Sequence, residues 1–190
     1  YVDSPMALSA TRVTLDHLAT LEPEASETMA WLEGNGGKPS VQFVQEVEDS
    51  IALNQIRSGA VIISASGMCE AGRIKYHLRH NLPREECAIV IVGFQAGGTL
   101  GRRLVDGAER VRIFGDEVPV RARIHTIGGL SAHGDQKALL DWMRGFRQPP
   151  RHTFLVHGER STRAAFADEI AAQLHWPNVR MPEVGDTFDV

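Results

Sequence analysis

The sequence predicts an α/β fold built on a parallel sheet, and three stretches predict it. Residues 60–65 (AVIISA) and 87–92 (CAIVIV) are continuous apolar runs, the mark of strands buried on both faces, and 153–156 is a shorter run of the same kind. Each leads through a polar, glycine-containing turn into a helical pattern: Ser66-Gly67-Met68, residues 93–99, and His157-Gly158. Three such strand, loop, helix units argue for a sheet covered by helices. In open sheets of this class the working groups gather beyond the carboxyl ends of strands, where these turns fall.

The elements follow in order. Residues 7–21 place Leu15, Leu18 and Leu21 at helical spacing, and Pro23 is expected to end that helix. Ser26 is read as the cap of a short helix carrying Met29 and Leu32, and 34–39 (GNGGKP) as a surface loop. A short strand at 41–44 precedes a helix capped by Asp49 or Ser50, with Ala52, Leu53 and Ile56 inward. After the Ser66 turn a helix runs to about Asn81, and another holds Leu100 and Leu104. Residues 110–114, 117–120 and 121–126 read as short strands in a meander or hairpin, with Val111, Ile113, Val118 and Val120 alternating with polar neighbours. Residues 136–146 offer Leu139, Trp142, Met143 and Phe146 as an apolar stripe. Phe166, Ile170 and Leu174 share a face of the next helix, and 179–190 holds two strand-like pieces around Pro182 and Gly185. A domain boundary is expected near residue 116, where the style of the chain changes.

A chain of 190 residues with 43% hydrophobic content forms one compact domain or two small ones around a real core. Twenty Lys+Arg against 24 Asp+Glu give a net charge of -4, which excludes an overall positive field; a polyanion would need a local patch. Cys69 and Cys87 form neither a CxxC pair nor a disulfide framework, so a reducing, cytoplasmic setting is expected. No apolar run approaches the roughly 20 residues that span a bilayer, so no membrane partner is expected. The chain opens on Tyr1 in what reads as the end of a strand, and a longer parent polypeptide is expected.

Two histidines sit where the chain leaves regular structure. His157 closes a buried strand before Gly158 and Glu159; His133 lies among small residues just before Asp135, which reads as a helix cap. Imidazoles so placed can bind a metal or move a proton near neutral pH. Each could equally be satisfied by a neighbouring carbonyl. Ser66 and Gly67 could present a hydroxyl and N–H groups to a phosphate, as could Gly97-Gly98-Thr99, although neither loop matches GxGxxG or a Walker pattern. Arg73, Lys75, Arg79, His80 and Arg84 read as a solvated basic helix face, and His77 with His80 as a surface pair, metal-compatible only in spacing.

Five ordered motifs carry a resemblance: YVDSPMA from Tyr1, SGMCEAGRI from Ser66, GFQAGGTLGR from Gly93, GLSAHGD from Gly129 and LVHGE from Leu155. Across essentially the whole chain they resemble the carboxyl-terminal part of a bacterial β-CASP metallo-β-lactamase nuclease of the RNA-processing branch, similar to the nuclease subunit of the cleavage and polyadenylation specificity factor. The resemblance implies a β-CASP α/β domain over residues 1–116 and, over 117–190, the returning segment of a metallo-β-lactamase αββα sandwich. It implies that His133 is the motif B histidine and a general acid, and that His157 is the motif C zinc ligand. It places Ser66 and Gly67, with His133, near the scissile phosphate. RNA is the implied substrate, because DNA-repair members carry valine at the position of His157, and a homodimer is compatible with the family. Two Zn2+ ions are implied for the complete enzyme. The chain contains no HxHxDH run, so it is expected to be inactive by itself.

Two readings of other classes stand beside this one. A non-catalytic RNA- or partner-binding module would have no use for both His133 and His157. A nucleotide-binding doubly wound domain would need a phosphate-loop fingerprint that the sequence lacks.

Overall fold

The computed structural model describes residues 1–34, 41–130 and 133–189, so most of the expected 34–39 loop lies outside the described residues. The fold is mixed α/β with parallel strand pairings, and the chain divides into two compact units, Tyr1–Gly129 and Leu130–Val190. No described helix is long and apolar enough to cross a membrane.

In the first unit β1 (Val2–Asp3) pairs in parallel with β2 (Ile63–Ser64), and Val2 also bridges to Phe43. Helix α1 (Pro5–Asp16) starts at once because Ser4 caps it, its Oγ accepting from the Ala7 N–H, while Pro5 supplies a preset first-turn φ. The helix stops at Asp16, before the position expected from the leucine spacing, and a 3-10 turn (Leu18–Thr20) follows. Pro23 opens α2 (Pro23–Gly34) rather than closing its predecessor, and Ser26 is no cap: its Oγ donates to the Leu18 carbonyl at 3.1 Å. The side chains of Met29 and Leu32 lie outside the described residues. Helix α3 (Val47–Leu53) begins after Glu46, so Asp49 and Ser50 are inside it; Leu53 is buried, and Ala52 is exposed.

The core of this unit joins α4 (Ile74–Asn81), β3 (Ala88–Val92), α5 (Leu100–Val105), β4 (Arg110–Ile113) and β5 (Asp116–Pro119) through Leu78, Leu82, Ile91, Leu100, Leu104, Val111, Ile113 and Val118. Each such aliphatic side chain withdrawn from water contributes roughly 1.5–3 kcal/mol. β4 and β5 form the expected hairpin; β6 (Arg123–Ile127) leaves it and pairs in parallel with β3. The hairpin turn is Phe114-Gly115, with φ of 53° and 89°, the two positive values of a type I′ turn.

Burial of the strands on both faces is not observed. Val61 and Ile63 are 74% and 60% exposed, and along β3 only Ile91 is fully buried while Val90 and Val92 remain about half exposed. Ile91 and Ile89 pack with residues of α4 and α5, while Val90 and Val92 on the other side of β3 stay half exposed. The 60–65 run accordingly forms only a two-residue strand.

In the second unit β7 (Thr153–Phe154) pairs in parallel with β8 (Val179–Arg180), and the Leu155 N–H extends the ladder to the Arg180 carbonyl. Helix α7 (Arg160–Leu174) turns Ile170, Phe166 and Leu174 inward as expected. Helix α6 (Gln136–Met143) packs through Leu140 and Met143, whereas Leu139, Trp142 and Phe146 are 43%, 68% and 45% exposed. The expected stripe is therefore one position out of phase. Trp142 and Phe146 instead meet edge to face on the outer side, and Phe146 meets Trp176 in the same way.

Candidate functional site

The Ser66 turn leaves β2 as a closed ring. Ser66 N–H donates to the Ala71 carbonyl at 3.1 Å, and Ser66 Oγ both donates to that carbonyl and accepts from the Ala71 N–H at 3.3 Å. Gly72 completes the ring at φ +80°, where a Cβ would lie 2.4 Å from the Ala65 carbonyl oxygen. Gly67 is open, with nothing within 4 Å of an added Cβ. Burial first, and then the neighbouring Glu70 charge, push the Cys69 thiol above its usual range, which disfavours the thiolate.

The turn at 93–99 is locked to this ring. Buried Gln95 donates from Nε2 to the Gly67 carbonyl at 3.0 Å, Gly101 N–H donates to the Met68 carbonyl at 3.1 Å, and Ala96 N–H contacts Met68 Sδ at 3.4 Å. Glu70 Oε1 accepts from the Leu100 N–H at the start of α5. The Gly97-Gly98-Thr99 turn is thus no open phosphate cradle. Thr99 Oγ1 caps α5, and the protein's own carboxylate takes the anion position.

The basic run on α4 is likewise not simply solvated. Asp3, its side chain fully buried, accepts from Arg73 Nη1 at 2.6 Å, from Ser50 Oγ at 2.6 Å, and lies 2.6 Å from His77 Nε2. Arg73 also donates to the carbonyls of Val44 and Gln45, and His77 Nδ1 faces Asn54 Oδ1 at 3.1 Å. His77 is therefore a buried structural residue, not half of a surface or metal pair with His80. The sequence signal was a carboxylate ending a strand directly before the Ser4-Pro5 cap; its partners, at least 47 residues away, gave none.

In the second unit both candidate histidines are exposed, two residues ahead of a helix cap. His133 precedes Asp135, whose Oδ1 accepts from the Ala138 N–H at 2.8 Å as expected of a cap; the adjacent Ser131 and Ala132 lie outside the described residues. His157 precedes Glu159, the cap of α7, and holds φ at +65°, with Gly158 at +97°. A non-glycine residue in this left-handed region is strained and is kept there by its surroundings. Two residues upstream of His157, the Leu155 carbonyl accepts from Arg163 Nη1 at 3.5 Å, and the same group donates to the Pro182 carbonyl at 3.1 Å.

Ser66 and Gly67 belong to the first unit and the two histidines to the second. Among the described residues no three His, Cys, Asp or Glu stand together as a metal site. His157 supplies one donor where a zinc site needs about three from protein, so this chain alone does not fit the ion.

Comparison with known proteins assigns both parts of the chain. Residues 1–104 match the model of the Beta-Casp domain, and residues 117–182 match that of the Zn-dependent metallo-hydrolase RNA specificity domain. Ribonuclease TTHA0252 of Thermus thermophilus is 40% identical over 174 residues, 90% of this chain and 39% of its own length. The transcription termination factor FttA of Methanocaldococcus jannaschii is 36% identical over 115 residues, 58% of this chain and 18% of its own. An RNase J-like protein of the same archaeon is 28% identical over 182 residues, 96% of this chain and 39% of its own. The chain thus spans at most 39% of the length of these relatives.

Proposed function

Because this chain belongs to the β-CASP family of metallo-β-lactamase nucleases, we propose that it is part of a zinc-dependent ribonuclease that hydrolyses RNA phosphodiester bonds. The observation that carries the reading is the His157-Gly158 turn. An exposed imidazole is held in a strained backbone conformation at a strand end, at the position that resembles the family's motif C.

In the complete protein His157 would be one of the residues holding the zinc, with the remaining ligands supplied from outside this chain. His133 is the general acid that gives a proton to the oxygen leaving phosphorus. Gly67 contributes to holding the substrate phosphate through its backbone N–H, and Ser66 positions it, since both the N–H and the hydroxyl of Ser66 are engaged with Ala71. The division near residue 116, a cytoplasmic setting, a homodimer and inactivity of the isolated chain are parts of the same proposal.

The test uses the complete protein. His157→Ala is expected to lower zinc content, measured by metal analysis, together with turnover of RNA; His133→Ala is expected to lower turnover and leave zinc bound. Unchanged turnover in both variants would overturn the assignment.

A further inference from the structure

An exposed aromatic pair with basic neighbours lies where turn chemistry gives no reason for it. Phe114 occupies the first central position of the β4–β5 turn at φ +53°. Asn, Asp or Gly suits that position, and a phenylalanine there is unfavourable for the turn itself. Its ring is 45% exposed and packs 4.6 Å, centroid to centroid, from Tyr76 of α4, which is 54% exposed. Lys75 Nζ lies 4.9 Å from the Phe114 ring centroid. Arg79 and His80, three and four residues beyond Tyr76 on the same exposed helix face, carry the surface onward, and Asp116 engages Arg79 at 2.6 Å.

Two half-exposed aromatic rings beside a lysine are the chemistry that binds single strands: bases stack on the rings, and cations follow the phosphates. A solvated charged face would not need the rings. A duplex, with its bases already stacked, could not use them. We propose that Tyr76, Phe114 and Lys75 form a stacking platform for an unpaired nucleobase of the RNA, outside the residues assigned to cleavage. The substrate class rests on the ribonuclease reading; the location rests on this cluster.

The test measures fluorescence anisotropy of the complete protein with a fluorescein-labelled single-stranded oligoadenylate and with an abasic ribose-phosphate chain of equal length. Phe114→Asn suits the turn and is expected to leave the melting temperature undiminished. Phe114→Asn and Tyr76→Ala are each expected to weaken oligoadenylate binding about tenfold and leave the abasic chain unaffected. Lys75→Gln is expected to weaken both probes. The two aromatic variants are expected to keep the parent's zinc content, which His157→Ala loses under the ribonuclease reading, so cleavage and platform are judged separately. Oligoadenylate affinity unchanged in both aromatic variants, or absent from the parent, would overturn the platform; in the first case the rings serve the hairpin or a protein partner instead.

Discussion

Nε2 of His77 and Oδ2 of Asp3 lie 2.6 Å apart, although 74 residues separate them in the chain. Burial acts to raise the Asp3 carboxyl pKa, but hydrogen bonds from Ser50, His77 and Arg73 outweigh it and hold the group below the ordinary carboxylate range. A depressed folded pKa contributes stability above the unfolded value of about 4, and that stability is lost as pH falls through the folded pKa. Urea unfolding across pH is therefore expected to show stability falling below about pH 4 in the parent. Asp3→Asn is expected to lack this contribution and to be less stable by about 3–5 kcal/mol at neutral pH, because Arg73 and His77 lose their buried partner.

Gly72 and Gly59 both have positive φ, at +80° and +72°, but only Gly72 is crowded. The atom that a Cβ would meet at position 72 is the Ala65 carbonyl oxygen, which cannot swing aside as a side chain can. Gly72→Ala is expected to cost about 3 kcal/mol or more, and Gly59→Ala about 1 kcal/mol. Chemical denaturation of the two variants checks the difference.

At His157 the expected stability change runs the other way. Glycine relieves the left-handed strain, so His157→Gly is expected to raise stability by about 1 kcal/mol while zinc content and turnover fall. A melt and a metal analysis of the same preparation read both effects. A fall in stability would show that the imidazole serves packing.

The phase of α6 is open to a paired test. Leu140, 3% exposed, is expected to cost about 2–5 kcal/mol as alanine, and Trp142, 68% exposed, under about 1 kcal/mol. The expected stripe predicts the reverse order.

These cases show how far the residues speak for themselves. The α/β class was legible because the apolar runs at 87–92 and 153–156 alternate with helical patterns, and local order suffices to see that. The phase of α6 was not, because Leu139 and Leu140 are adjacent and either choice gives an apolar arc with Met143; contact with Ile170 decides it. Coverage of the 60–65 run depends on what stands against its second face, which its own composition does not encode. His133 and His157 could be singled out because each sits at a turn before a helix, yet the left-handed backbone at His157 became visible only in three dimensions. The Asp3 network was invisible for the same reason, since charge patterning along one helix says nothing about a partner on a distant strand.

The cross-bracing of the two loops has a consequence for motion. Ala96, Leu100 and Gly101 each direct an amide proton at Met68 or Glu70, so no one of these protons reaches solvent unless the loops separate. Their deuterium uptake should then follow a single opening event, and the two turns should loosen together as one cooperative unit.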